Sequence, residues 1–149
     1  MQPSILKPII LITEGRMDAS IICSLINTAD HIIYMVEAGG YHKIASTIRT
    51  QYLMYRDDYY YIAVFDSDSV SPSVRDDKIS VIRNLSRGDL HTDRIGIFCF
   101  RKDLESELGI TQQEKKNRAA LVLAIKQRGE QMKQCETIKE IQQFINTLE

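Results

Sequence analysis

The chain has 149 residues, 44% of them hydrophobic and 26% charged, an ordinary globular composition and long enough for one complete core. Its formal net charge of -1 and pI of about 6.3 argue against a protein that coats nucleic acid electrostatically, a mode that needs a basic excess. No apolar stretch approaches the ~20 residues of a membrane span, Met1-Gln2-Pro3-Ser4 lacks the start of a signal peptide, and neither the cysteines (Cys23, Cys99, Cys135) nor the histidines (His31, His42, His91) are paired in spacing. That excludes a disulfide framework and a zinc site, and predicts a cytoplasmic protein.

In chain order, Ile9-Ile10-Leu11-Ile12-Thr13 is a short β-branched run, apolar throughout, the pattern of a parallel strand buried on both faces. It stops at Glu14-Gly15, where the glycine is read as permitting a sharp turn. Met17 to Asn27 then carries a helical stripe of Ile21, Ile22, Leu25 and Ile26. His31 to Val36 is a second strand, Gly39-Gly40 a turn, and Lys43 to about Tyr55 a helix with Ile44, Ile48 and Leu53 inward. A third strand, Tyr59 to Phe65, ends in Asp66-Ser67-Asp68; its tyrosines are expected to pack one face and edge solvent with the other. A loop from Ser69 to Ser73 leads to a helix over Val74 to Ser86 with Ile79, Ile82 and Leu85 inward, broken by Arg87-Gly88-Asp89. Arg94 to Phe100 is a fourth strand. From Thr111 onward two helical stretches follow, Ala119 to Ile125 and Ile138 to Leu148, with Gly129 as a break between them.

Strands alternating with helices at this spacing predict an α/β fold, doubly wound, with a mainly parallel four-stranded sheet flanked by helices. The division expected is an α/β domain over 1–110 and a helical C-terminal extension over 111–149 packed on the same domain. In such sheets ligands bind at the carboxyl ends of the strands. Glu14, Asp66 and Asp68 all fall there.

Two acids closing a buried strand need a turn or a charge partner to explain them, because Asp is a poor strand residue. A divalent cation, Mg²⁺ or Mn²⁺, is the partner inferred, since it suits carboxylate oxygens and neutralises the charge of a phosphodiester. Asp18, one turn beyond Glu14, either joins the ligands or favours the helix N-terminus. Glu105 and Glu107 follow the fourth strand as candidates for a second metal position, and Lys102 as a phosphate contact; a solvated helix start explains these three as well.

The run Ile9 to Asp18, followed by Ala63-Val64-Phe65-Asp66-Ser67-Asp68, resembles the Toprim family in both motifs and in their order: a strand ending in Glu-Gly with an acid three residues on, then a strand ending in Asp-x-Asp. The likeness covers about the first two thirds of the chain. It implies a Toprim/Rossmann-like sheet, with Glu14 as general acid/base and metal-site glutamate, Gly15 as the turn glycine, and Asp66 and Asp68 as Mg²⁺ ligands. The Val36 to Gly40 turn and the acids after the fourth strand look most like the nuclease domains of the OLD (overcoming lysogenization defect) type. There a Lys and a Glu late in the domain assist the metals, and Lys102 and Glu105 are the residues that would match. OLD-type nucleases are typically fused to an ATPase; no glycine here is followed by lysine, so a Walker A loop is missing. The expectation is a free-standing Toprim-like protein with a separately encoded ATPase as partner.

The leading function is therefore Mg²⁺-dependent endonucleolytic hydrolysis of DNA or RNA. The alternative is a non-catalytic regulatory or nucleic-acid-binding module. A more distant pair takes Asp-x-Asp as a glycosyltransferase metal site, which wants a larger acceptor domain, or as a phosphatase pair, which belongs on the first strand and here lies on the third.

Overall fold

The structure, a computed structural model, describes residues 6–86 and 94–148. The opening Met1 to Ser4, the Arg87-Gly88-Asp89 break and His91 lie outside the described residues. Strands β1 (Ile9–Thr13), β2 (Ile33–Glu37), β3 (Tyr60–Asp66) and β4 (Ile95–Phe100) form one sheet in the order β2-β1-β3-β4. Every neighbouring pair is parallel. The expected α/β class and four-stranded sheet are what the chain adopts. Between the strands run α1 (Arg16–Leu25), α2 (Ile44–Tyr55, entered through a 3-10 turn at Tyr41–Lys43) and α3 (Pro72–Leu85). After β4 come α4 (Leu104–Leu108), α5 (Gln112–Lys116), α6 (Arg118–Met132) and α7 (Glu136–Asn146).

Strand alternation sends successive side chains to opposite faces, so the continuous apolar runs feed two cores. Ile9 and Leu11 of β1, Ile62 and Val64 of β3 and Phe100 of β4 pack with Ile21 and Ile22 of α1 and with Ile138, Ile141 and Ile145 of α7. On the other face Ile10, Ile12, Tyr61, Phe65 and Ile97 pack with Ile44 and Ile48 of α2 and Ile82 of α3. The far edge of β4 is closed: Arg75 Nε donates to the Cys99 carbonyl (2.6 Å) while its Nη2 donates to Glu140 (3.0 Å). The opposite edge, β2, is open, with Tyr34 and Met35 half-exposed.

Several expectations are corrected. Tyr60 and Tyr61 are both buried, on opposite faces, because β3 is an interior strand with helices on either side. Leu53 and Leu85 point outward (65% and 53% exposed); Tyr52 takes the inward place on α2, stacked edge-on against Tyr61. The helix predicted from Val74 begins earlier, with Pro72 at its start, where proline's missing N–H costs nothing. Gly129 does not interrupt anything. It is a buried residue inside the 15-residue α6, since one glycine costs a helix only about 1 kcal/mol.

Candidate metal centre

Parallel pairing puts the strand ends side by side. Thr13 is in register with Val64, and Asp66 with Phe100, so the residues leaving β1, β3 and β4 share one edge of the sheet. Glu14 follows β1 directly. Its carbonyl accepts from the Gly39 amide (3.0 Å), which fastens the turn after β2 against it. Gly39 and Gly40 adopt φ of +86° and +138°, a conformation that favours glycine. Asp18 projects from the first turn of α1, and Asp66 closes β3. One carboxylate oxygen from each of Glu14, Asp18 and Asp66 lies within 4.8 Å of the other two.

Burial is the main cause that raises all three acids, and neighbouring like charges add to it. Burial and the Asp18 and Glu14 charges push the Asp66 carboxyl up to about 7, although the Leu104 amide donates to its Oδ1 (2.9 Å). Burial, then the Asp68 and Asp18 charges, raises Glu14, with the Asp66 amide and Lys78 pulling the other way. Burial raises Asp18 too, opposed by the ammonium of Lys115. The donors are hard oxygens alone, without sulfur or imidazole, and that set fits Mg²⁺ or Mn²⁺. Glu14, Asp18 and Asp66 are the residues that could hold such an ion.

The other predicted residues are placed differently. Asp68 adopts a left-handed backbone (φ +55°), and its side chain is 73% exposed, with Oδ2 3.8 Å from Lys78 Nζ; it stands outside the three-acid cluster. Lys102 is left-handed as well (φ +59°). Its backbone rather than its exposed side chain ties the loops together: the Lys102 carbonyl accepts from the Asp68 amide (2.6 Å), and its amide donates to the Ser69 carbonyl (3.0 Å). Gly15 is extended (φ -135°), and a Cβ added there would meet nothing within 4 Å, so the bend at Glu14 and Gly15 between β1 and α1 does not depend on glycine. Glu105 is buried and bonded to Lys115. The Glu107 carboxylate faces α7, accepting from the Thr137 hydroxyl (2.8 Å) and amide (3.1 Å) and from the Arg101 amide (3.0 Å). It caps a helix.

Two lysines went unnoticed in the sequence. Lys115 Nζ lies 3.7 Å from Asp18 Oδ1 as well as bonding Glu105. The Thr111-Gln112-Gln113-Glu114 capping box marks a helix start immediately before it and was the available signal. Lys78 of α3 donates to the Asp66 carbonyl (3.3 Å) and sits 4.5 Å from the centre of the Tyr41 ring. It lies one inward turn before Ile82, on a helix read only for its apolar stripe.

No protein-family model matches the sequence, and no curated protein matches it. Among solved structures the chain is similar to the C-terminal region of the Burkholderia pseudomallei OLD protein, with a TM-score of 0.51 and 14% identity, over 92% of this chain and 96% of that one. At this identity the likeness shows a shared fold. The OLD type is the one that the Val36 to Gly40 turn and the acids after the fourth strand look most like.

Proposed function

We propose that the chain hydrolyses phosphodiester bonds of DNA or RNA with a divalent cation, Mg²⁺ or Mn²⁺, held by Glu14, Asp18 and Asp66. The observation that carries this reading is the convergence of those three carboxylates at the carboxyl edge of a parallel sheet. The Glu-Gly and Asp-x-Asp motifs and the shared fold support it. When bound, the cation would offset the charge that gathers on the phosphoryl oxygens. The protein's own contribution is positional. β1 and β3 hold Glu14 and Asp66 on adjacent strand ends, and the first turn of α1 brings Asp18 to them. Glu14, its carboxyl raised by burial and like charge, is suited to exchange a proton with the reacting oxygens. Lys102, exposed on the loop after β4, is assigned to a phosphate of the nucleic acid, and Asp68, on the facing loop, to a further contact of the cation.

Incubating the protein with plasmid DNA and with RNA in Mg²⁺ or Mn²⁺ tests the reading. Cleavage is expected to fall at least about 100-fold in Glu14→Gln and in Asp66→Asn, the scale of removing a charge-stabilising group from an active site. Cleavage by the unaltered chain no faster than by Asp66→Asn overturns it. Binding of nucleic acid without cleavage would assign the chain instead to the non-catalytic module reading. A separately encoded ATPase is the protein partner proposed, and co-purification is its test.

A further inference from the structure

We infer that the acid cluster takes a single divalent cation, because Lys115 supplies from within the chain the positive charge that a second cation would bring. The inference rests on the cation-dependent reading above and adds a stoichiometry to it.

Glu105, on the first turn of α4, is 7% exposed. A carboxylate buried that far needs a permanent partner. It has one, since Lys115 Nζ bonds its Oε1. The same nitrogen lies 3.7 Å from Asp18 Oδ1, so one ammonium touches both the buried glutamate and a member of the three-acid cluster. Any second cation linking Glu105 to that cluster would have to occupy the place of this nitrogen.

The backbone that carries Lys115 is pinned. Thr111 and Glu114 close a capping box on α5, and Arg128 Nη2 donates both to Glu114 Oε1 (2.8 Å) and to the Gly109 carbonyl (3.2 Å). Across the site Lys78 stands in the same relation to Asp68, at 3.8 Å. With Asp68 largely in solvent that pair is weak, and the weight of the inference lies on Glu105 and Lys115.

Mn²⁺ binding to the whole chain, counted by titration calorimetry and by electron paramagnetic resonance of the free ion, tests this without any assay of activity. One Mn²⁺ per chain is expected for the unaltered protein and for Glu105→Gln, in which only a residue outside the coordination shell is changed. Lys115→Met, which strips the buried glutamate of its partner, is expected to take up a second ion, and Lys115→Met/Glu105→Gln to return to one. Two ions in the unaltered protein, or one in a folded Lys115→Met, overturns the inference while leaving the cation-dependent reading intact. No ion at all in the unaltered protein removes that reading and this inference together. If Lys115→Met fails to fold, the counts for the unaltered protein and Glu105→Gln still decide: two ions in the first and one in the second identify Glu105 as a ligand and overturn it.

Discussion

The Asp66 carboxyl, held up at about 7 by burial and by Asp18 and Glu14, keeps a share of its proton at neutral pH. A divalent cation must displace that proton. Mn²⁺ affinity is therefore expected to climb as pH rises from about 6 to about 8, up to about tenfold per unit below the midpoint, and then to level off. Calorimetry in buffers of different ionisation enthalpy would read the proton released; pH-independent affinity would contradict the cause given. Without cation the same shift works on folding. The group binds its proton more tightly in the native state than in the unfolded chain, where the ordinary value is 3.8. Its contribution is complete below about pH 4 and is lost as pH rises through about 7, so urea midpoints should fall over that range and Asp66→Asn should flatten the fall. Glu14 and Asp66 were legible in the sequence because each ends an apolar run. The exposure of the Asp68 side chain was not legible, because a left-handed backbone leaves no mark on an Asp-x-Asp motif.

At the scale of elements, two glycines separate helix propensity from packing. Gly129 sits inside α6 with an ordinary backbone, and the nearest atom to an added Cβ is Ile125 Cγ2 at 4.0 Å. Gly129→Ala is expected to stabilise the protein by about 0.5–1 kcal/mol in urea denaturation. Gly96 lies in β4, where a Cβ would meet Phe98 Cε2 at 2.5 Å and Phe144 Cδ1 at 3.1 Å. Gly96→Ala should cost about 1–3 kcal/mol, since both rings pack against their neighbours and each other. Equal effects at the two sites would show that the space around them is not what decides. Strands buried on both faces announced themselves, because nothing but apolar residues can occupy them. Helices were harder to bound. Leu53 and Leu85 are each one residue out of phase with the inward row, whose places are taken by Tyr52 after Ile44 and Ile48 and by Ser86 after Ile82, and α6 blurs its inward stripe with Val122 and Leu123 on the exposed side.

Taken whole, the chain is knit by contacts far apart in sequence. We propose that residues 111–149 belong to the same folding unit as 1–110: Leu121, Met132, Ile138, Ile141 and Ile145 are buried in one cluster with β1, β3 and β4. Burying five such side chains is worth roughly 10 kcal/mol, comparable to the whole stability of a domain. A chain ending at Ile110 is expected to lose its cooperative thermal transition by circular dichroism, and a sharp melt in that fragment would show the extension to be separable. Among the described residues no helix is long and apolar enough to cross a membrane. The acid cluster draws Glu14 and Asp18 from the start of the chain and Asp66 from its middle, joined only once β1 and β3 have paired. An unfolded chain cannot present the three together. Before an ion arrives, their mutual repulsion opposes the closing of that pair; once it binds, the equilibrium between coil and sheet shifts toward the sheet with ion concentration. On the proposed reading the cation would be a ligand of the folding reaction itself, and its supply would set how firmly the two central strands stay together.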